Sequence, residues 1–514
     1  MNTGAKLMVA CWSAVSLAGC AATTTQAGVD YDAPDPETGK RTVTIGVGAG
    51  GGGRAGSQAL DRSQVPAVGE PEALELPGIQ DYTMDNGMRV VLVERSALPL
   101  VSLELQFRGG GAAHPARQAG LASLVADMVD EGTATRSALD IADAVDLLGA
   151  SLASSAGYDA SQVRLSVLRA RFPEALSILA DVVMNPSFPE ADLERVRRER
   201  LARVVQRSDV PAALAEDAFA EVLYGADHPY GASLLGTRES LEALTRDDVA
   251  AFHRARYAPG QATLVVAGDL KRAELDSLLA GAFAGWTGSG VDPAPLAGPA
   301  PREGRAIYVV DKPGAAQSEV RVGDVAVARD TDAYYPLTVL NTVLGGSFTS
   351  RLNAKLREEK GYTYGAGSFF DMRRAPGPFE ATAAVATEVT DSAVVDFIRE
   401  IERMSAETVP ADELDRARNY LALRLPQRFE SLDDVVRRLA ELVTYDVPLD
   451  FWAGYVAGVD AVDEAAVMAA AQRMLDPGRM AVVIAGDRSA IEGPLKALGL
   501  GPVVVLGGRP VSQE

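Results

Sequence analysis

The chain has 514 residues, of which 47% are hydrophobic and 23% are charged. This composition excludes a wholly disordered protein and a short protein held together by disulfides, and the length favours more than one domain. The formal net charge is −21 at pH 7, so phosphate backbones would repel the chain and we expect no nucleic acid partner.

The start of the chain is typical of an exported protein. Lys6 precedes an apolar stretch over residues 7–17, which has the length of a signal-peptide core and is too short to span a bilayer. The sequence LAGC that follows, ending in Cys20, resembles the lipobox of bacterial lipoproteins. We therefore expect a signal peptide over residues 1–19 and lipidation of Cys20. The alternative is a plain secretory signal.

Lipidation predicts a location in the cell envelope. Several acyl chains on one cysteine hold a protein stably to a bilayer, so the membrane is an expected partner through the lipid anchor. The residue after the cysteine is Ala21 rather than Asp. By resemblance to sorted lipoproteins, this favours the outer membrane, with the protein facing the periplasm.

Residues 20–76 are rich in Gly, Ala, Thr, Pro and acidic residues, and this composition predicts a flexible tether without a fold of its own. Residues 42–45 could form a strand, and Gly46, Gly48 and Gly51 fit the spacing of a dinucleotide-binding fingerprint. That motif needs a helix directly afterwards to aim its N-terminus at the pyrophosphate. More glycine follows instead, so a linker is favoured over a nucleotide site.

The folded part begins near residue 77. Apolar and alternating runs predict strands at residues 88–94, 101–107 and 262–267, and the strict alternation in the second of these is typical of a half-covered sheet. Helical spacing predicts helices at residues 119–131, 137–148, 172–184, 189–207 and 211–224. Strands clustered with several helices between them favour an α+β fold over regular βαβ winding. A stretch rich in Pro, Gly and Ala at residues 288–304 predicts a linker.

The same pattern recurs beyond this linker. The segment PEADLERVR, which begins at Pro189, resembles PADELDRAR, which begins 221 residues later at Pro410. The strand end VVAGD resembles VIAGD, 218 residues further on. Matching order and spacing predict two homologous domains. We place them at residues 77–287 and 305–500, followed by a tail over residues 501–514.

A set of short motifs runs through both halves. Residues 120–128 read GLASLVADM, followed by EGT at 131–133 and HPYG at 228–231, and the second half has LGG, SRL and LREEKGYTY between residues 344 and 364. In this order the motifs resemble those of the insulinase-like (M16) zinc peptidases, which include pitrilysin and mitochondrial processing peptidase. The resemblance implies paired α+β domains, each an antiparallel-rich sheet packed with helices, that form half of a clamshell around a peptide.

The catalytic motif of that family is missing. There, an inverted HxxEH helix supplies two zinc-binding histidines and the glutamate that deprotonates zinc-bound water, and a distant glutamate is the third ligand. The matching positions here are Ser123, Ala126 and Asp127, and the third ligand falls near Ala202. The resemblance therefore implies a degenerate zinc site. We expect no metal, no other cofactor and no catalytic residue in this chain, which is predicted to be inactive alone.

A nucleophilic site built from Ser123, Asp127 and His114 is disfavoured. Nearness in sequence does not create the geometry of a triad, and no GxSxG elbow surrounds the serine. We expect Ser123 and Asp127 to line a vacated cleft or to face solvent.

Two other functional positions of the family are retained. In two-domain bacterial members, an arginine of the SRL segment and a tyrosine at the end of GxxY contact the scissile peptide group, and these positions match Arg351 and Tyr364. A guanidinium and a phenol can stabilise an oxyanion, so both residues are predicted to bind substrate. The alternative is an arginine paired with an acid such as Glu358 and a tyrosine packed on a strand face.

Some bacterial relatives are heterodimers in which one chain carries HxxEH and the other carries the arginine and tyrosine. The resemblance therefore implies a substrate-positioning subunit of a periplasmic M16-type zinc metallopeptidase, whose HxxEH-bearing partner holds the zinc. We expect an extended peptide substrate, bound by strand addition to an exposed sheet edge. The alternative is a non-enzymatic M16-like scaffold or peptide-binding lipoprotein.

Overall fold

The computed structural model describes residues 29–31, 43–45 and 78–507. The predicted signal peptide, the lipidation site Cys20, the glycine motif and residues 508–514 lie outside these ranges. Within the predicted tether, strand β1 (Val29–Tyr31) pairs antiparallel with strand β2 (Val43–Ile45), so this segment is not wholly without secondary structure. The chain divides into one unit that ends at Gly69 and a second that begins at Glu70, and the second contains two larger sheets.

The first of these sheets has six strands in the order β3-β4-β8-β5-β7-β6. All neighbours are antiparallel except β4 and β8, which are parallel. The strands are β3 (Ile79–Thr83), β4 (Arg89–Glu94), β5 (Leu100–Arg108), β6 (Ser151–Ala156), β7 (Ala160–Leu168) and β8 (Ala262–Gly268).

Several helices of the first half begin at favourable sequence signals. The helices of this half are α1 (Leu121–Met128), α2 (Ala138–Leu147), α3 (Phe172–Met184), α4 (Glu190–Ser208), α5 (Pro211–Tyr224), α6 (Arg238–Ala243), α7 (Arg246–Arg256) and α8 (Arg272–Ala282). Ser137 and Thr245 start α2 and α7 with capping boxes, which satisfy otherwise unpaired backbone N–H groups. Pro211 occupies the first turn of α5, where its missing N–H costs no helical hydrogen bond.

The second half repeats this arrangement. Its strands are β9 (Ala306–Asp311), β10 (Gln317–Val325), β11 (Ala366–Phe370), β12 (Pro378–Ala386), β13 (Ala481–Gly486) and β14 (Val503–Leu506). Its helices are α9 (Tyr334–Leu344), α10 (Arg351–Asn353), α11 (Thr390–Ala406), α12 (Ala411–Leu423), α13 (Leu432–Thr444), α14 (Tyr455–Asp460), α15 (Glu464–Met474) and α16 (Arg488–Ala497). A π-helical segment, Ala354–Glu359, directly continues α10.

The two sheets have equivalent strand orders, which confirms the predicted α+β fold with two homologous domains. Read from the opposite end, the second sheet runs β14-β9-β13-β10-β12-β11, so β9 to β13 match β4 to β8 in position and connection. The outermost strand differs, because β3 is antiparallel to β4 whereas β14 is parallel to β9. The two sheets therefore share a unit of five strands and differ in the direction of the sixth.

One helix of each half packs on the sheet of the other half. Helix α5 of the first half packs on β13 and β10, and helix α13 of the second half packs on β5 and β8. Phe219 of α5 lies in one apolar cluster with Ala481 and Val483 of β13. Because each sheet is covered on one face by a helix of the other half, the two domains form one continuous unit.

This exchange changes the expected environment of β5. The alternating run at residues 101–107 predicted a polar face open to solvent, yet Ser102, Glu104 and Gln106 are all buried. Helix α13 covers them: Ser102 donates a hydrogen bond to Asp433, and Gln106 donates one to Thr444. The prediction of a half-covered sheet was wrong because the covering helix comes from a segment more than 300 residues away.

The stretch predicted as a linker, residues 288–304, is fixed to the first half by side chains. Arg256 donates to the carbonyl of Val291, and Gln261 Nε2 donates to the carbonyl of Ser289 at 2.9 Å. Within the described ranges, no helix is long and apolar enough to cross a membrane.

Candidate functional site

The backbone around α1 is set by a close approach of two glycines. Gly120 directly precedes the helix with φ 86°, and a Cβ atom there would lie 2.8 Å from Gly236 Cα. Only glycine adopts this conformation at so short a distance without strain. The turn starts α1 two residues later than the sequence predicted and holds residues 232–236 against its first turn.

Ser123 and Asp127 lie one turn apart on α1 and face a single buried cation, Arg200 of α4. Arg200 Nη1 donates to Asp127 Oδ2 at 2.6 Å, and Nη2 donates to Ser123 Oγ at 2.5 Å. Nη2 also lies 2.8 Å from the carbonyl oxygen of Leu235. The third motif position, Ala126, is fully buried in the helix layer. We call Ser123, Asp127 and Arg200 the pocket cluster.

The pocket cluster contains an ion pair whose cation is buried and whose carboxylate is partly exposed. Arg200 is 2% exposed, whereas the side chain of Asp127 is 31% exposed. Burial lowers the pKa of Arg200 from its ordinary value, and the charge and hydrogen bond of Asp127 oppose that shift. Arg203 lies farther from the same carboxylate, at 3.7 Å, and its side chain is half exposed. Arg200 is therefore the main partner of Asp127.

Sequence reasoning placed the third ligand position near Ala202, but the structure has Ala202 exposed on α4 and Arg200 opposite α1. Two residues along a helix differ by about 200° in direction, so Arg200 and Ala202 lie on opposite faces of α4. A sequence signal for Arg200 existed. It lies seven residues after Leu193, which is buried on the same helix, and that spacing continues one face.

The pocket cluster does not fit zinc. Structural and catalytic zinc sites use three or four His, Cys or carboxylate ligands, whereas this cluster offers one carboxylate, one hydroxyl and a guanidinium. Across the part of the chain that the structure describes, no group of three or more His, Cys, Asp or Glu residues could hold a metal ion.

Ser123 is not arranged as a nucleophile. Its hydroxyl donates to the carbonyl oxygens of Gly120 and Leu234 and accepts from Arg200. Ser123 and His114 both line one small cavity. However, Nδ1 of His114 contacts the carbonyl of Pro115 at 3.1 Å, and burial lowers the pKa of His114. Ser123 and Asp127 therefore hold Arg200 rather than serve a catalytic base.

Arg351 is the first residue of α10 and is 9% exposed. Its Nε and Nη2 atoms each lie 2.8 Å from Glu413 Oε2 on α12. Its third nitrogen, Nη1, is buried and has no partner among the described residues. Glu358 pairs instead with Arg357 at 3.4 Å. Arg351 thus has one fixed side, held by Glu413, and one donor nitrogen without an acceptor.

Tyr364 is 94% exposed and lies just before β11, separated from it by Gly365. Asn353 joins this region to the loop before α10, because its Nδ2 donates to the carbonyl of Phe348 at 2.7 Å and its Oδ1 accepts from the N–H of Ala366 at 3.3 Å. Hydrogen bonds of Asn353 therefore connect the segments of Tyr364 and Arg351, but the two environments differ: the tyrosine is exposed and the arginine is buried.

Close packing explains why the LGG motif has glycine at positions 345 and 346. A Cβ atom on Gly345 would lie 2.3 Å from the backbone nitrogen of Ser368 in β11, closer than such atoms approach in folded proteins. On Gly346 it would lie 2.7 Å from Asn341 Nδ2. The pair lets the loop before Arg351 run directly against β11.

Comparisons with known proteins agree with these motifs. The family model described as insulinase (peptidase family M16) matches residues 89–238, and the model described as peptidase M16 inactive domain matches residues 243–421. An uncharacterised zinc protease of Mycobacterium leprae is 31% identical over 345 residues, which make up 65% of this chain and 77% of that protein. The chain belongs to the insulinase family, peptidase family M16.

Other M16 relatives are described as inactive. A non-peptidase homologue from Helicobacter pylori is 25% identical over 366 residues, covering 70% of this chain and 83% of that protein. A crystal structure described as a peptidase M16 inactive domain, from Pseudomonas fluorescens, is 28% identical with a TM-score of 0.74 and covers 79% of this chain and 98% of that one. With Ser123, Ala126 and Asp127 in place of HxxEH, this chain is a non-catalytic M16 member.

Proposed function

We propose that this chain is the substrate-positioning subunit of an M16 zinc metallopeptidase in the cell envelope, and that a partner chain with an intact HxxEH motif holds the zinc. The observation that carries the proposal is the contrast between the two halves. The zinc positions of the first half are filled by a closed ion pair. The substrate-contacting positions of the second half keep Arg351, with one unpaired donor nitrogen, and the exposed Tyr364.

Arg351 suits an oxyanion-stabilising role. Glu413 binds two of its nitrogens through a single oxygen, which fixes the plane of the guanidinium and leaves Nη1 as the remaining donor. A preorganised donor of this kind stabilises negative charge that develops on a peptide carbonyl during attack by water. Tyr364, which is exposed, could add a phenolic donor from the surface.

The edge of the first sheet supports binding of an extended peptide. Among the described strands, β6 pairs only with β7 and forms the end of the sheet. Its sequence, SLASSA, has no charge, and half of its residues are exposed. Edge strands of this kind present backbone N–H and C=O groups that an added strand can pair with. Helix α1 packs beside β6, so an added strand would run next to the pocket cluster.

The envelope location rests on the first twenty residues, which lie outside the described ranges. A lipidated Cys20 would hold the subunit at the outer membrane, on the periplasmic side. The partner and the peptide substrate would then be periplasmic.

The test is peptide turnover by the complex purified through a tagged copy of this chain from its own membranes. Arg351→Ala should lower turnover about 10²-fold, as is typical for loss of one oxyanion donor. Arg357→Ala is the matched control, because Arg357 lies in the same segment but pairs with exposed Glu358. Equal turnover by Arg351→Ala and wild type would contradict the proposed role.

One observation favours a second candidate function, a non-enzymatic scaffold. The buried pair between Arg351 and Glu413 also joins α10 to α12, and a structural arginine needs no substrate. In a scaffold, Arg351→Ala would lower stability, and the complex would have no peptidase activity in the wild type.

A further inference from the structure

Arg200, which is not one of the motif positions, decides whether the pocket of the first half can hold a metal. Its guanidinium lies within hydrogen-bond distance of Ser123 and Asp127, the two side chains at the positions of the family's histidine ligands. A permanent positive charge at that place repels a dication and occupies the volume a metal would need.

We propose that Arg200 is the resident cation of the pocket: it excludes zinc and joins the same elements that a metal ion would join. The guanidinium connects three segments, because it bonds α1 through Ser123 and Asp127, belongs to α4, and donates to the carbonyls of Leu234 and Leu235. Shared coordination by a metal ties separate segments in this way. Arg200 therefore replaces the structural connections that a bound zinc ion would make.

The chemistry requires an arginine. A guanidinium has five donors in a planar fork and keeps its charge when buried, whereas a lysine has a single ammonium group on a flexible stem. Arg200 bonds one carboxylate, one hydroxyl and two carbonyl oxygens at once. This inference concerns the isolated chain and does not depend on the proposed partner.

The test is an attempt to restore zinc binding. The two-histidine variant Ser123→His with Asp127→His leaves the buried Ala126 unchanged and should bind no zinc after dialysis, because Arg200 remains. Adding Arg200→Glu removes the cation and supplies a third ligand, and about one zinc per chain is expected. The matched control adds Ala202→Glu instead, which places the carboxylate on the exposed side of α4, and should bind none.

Three results would overturn the proposal. Stoichiometric zinc in the two-histidine variant would show that Arg200 does not exclude metal. Zinc binding by the Ala202→Glu control, with Arg200 still present, would show the same. A folded Arg200→Glu variant without zinc, as judged by circular dichroism, would show that position 200 does not face the ligand positions.

A second measurement does not depend on the folding of these variants. The melting temperature of the wild-type chain should be unchanged by chelator or by added zinc. Arg200→Met should lower it by roughly 5–10 °C, since Asp127 loses its buried partner. Arg203→Met should shift it by only about 1 °C, because exposed pairs contribute little. A melting temperature that falls with chelator, or equal shifts for the two methionine variants, would refute the proposal.

Discussion

The two halves of the molecule each bury an arginine against a carboxylate of a neighbouring helix, but the two arginines differ in what remains available. In the first half, both terminal nitrogens of Arg200 are bonded. In the second, Arg351 has both of its contacts on one oxygen of Glu413, and Nη1 lacks a partner among the described residues. Among these residues, each arginine keeps one buried nitrogen without a partner, but in Arg200 it is the inner Nε and in Arg351 it is the terminal Nη1.

This difference shows why residue types alone do not separate a structural arginine from a functional one. Both side chains are more than nine-tenths buried, and each has a carboxylate partner. The distinction lies in which nitrogen is left unpaired and in the neighbours: the carbonyl oxygens of Leu234 and Leu235 accept from Arg200, whereas the segment of Arg351 leads to the exposed Tyr364.

The largest expected effect is the loss of stability when the ion pair between Asp127 and Arg200 is broken. Asp127→Leu leaves a buried guanidinium without its carboxylate, and we expect the free energy of unfolding to fall by about 3–5 kcal/mol. Denaturant titration followed by circular dichroism measures this change. Asp146→Leu, at an exposed position of α2, is the control and should change stability by at most about 0.5 kcal/mol. Similar losses for the two variants would mean that Arg200 does not depend on Asp127.

Breaking the ion pair between Arg351 and Glu413 should affect catalysis as well as stability. Glu413→Gln removes the charge that fixes the guanidinium of Arg351, and we expect turnover by the purified complex to fall about 10-fold with little change in KM, because the donor is no longer preorganised. Steady-state kinetics on the complex gives both values. If KM rises while kcat stays constant, Glu413 acts on substrate binding and not on the position of Arg351.

Two acids with raised pKa values, the partly buried Asp130 and the buried Glu380, make the stability of both halves pH-dependent. Burial raises the pKa of Asp130 to about 6 and, despite the neighbouring Arg321, raises the pKa of Glu380 to about 7. Since each pKa is higher in the folded than in the unfolded chain, their contribution to stability is fully present below about pH 4 and is lost as pH rises towards 7.

Glu380→Gln removes the second of these contributions. The difference in the free energy of unfolding between this variant and the wild type, measured by denaturant titration, should change in favour of the variant as pH rises from 5 to 7.5, by an amount on the order of 1–3 kcal/mol. A difference that is constant across this pH range would show that Glu380 is ionised in the folded chain throughout.

The smallest expected effect on stability is at Tyr364. Because its side chain is 94% exposed, Tyr364→Phe should change the free energy of unfolding by at most about 0.5 kcal/mol. The same variant should lower turnover by the complex, since the phenolic donor is lost. A clear loss of stability would indicate that the hydroxyl has a structural partner in the folded chain.

Much of the fold follows from the sequence because its signals are local. The helix predicted at residues 211–224 has those bounds in α5, and the one predicted at 189–207 lies within one residue of α4 at both ends. The repeat between the Pro189 and Pro410 segments correctly predicted two homologous domains. The exchange of α5 and α13 was not predictable, because apolar spacing shows which face is buried but not which sheet covers it.

The site was predictable only in part, for a related reason. Local motifs identified Ser123, Asp127 and Arg351, but each is paired with a residue that a local motif does not contain. Arg200 lies 73 residues from Asp127, and Glu413 lies 62 residues from Arg351. Such pairs depend on how helices pack, which a local motif does not show.

The central claim is that a partner chain supplies the zinc. Its most direct test is affinity purification of the tagged protein from its own membranes, with mass spectrometry of the co-purifying chains and zinc analysis of the complex. The account predicts a near-stoichiometric M16 partner containing HxxEH, with about one zinc per complex. Recovery of the chain alone, or with unrelated envelope proteins and no zinc, would contradict it and favour the scaffold.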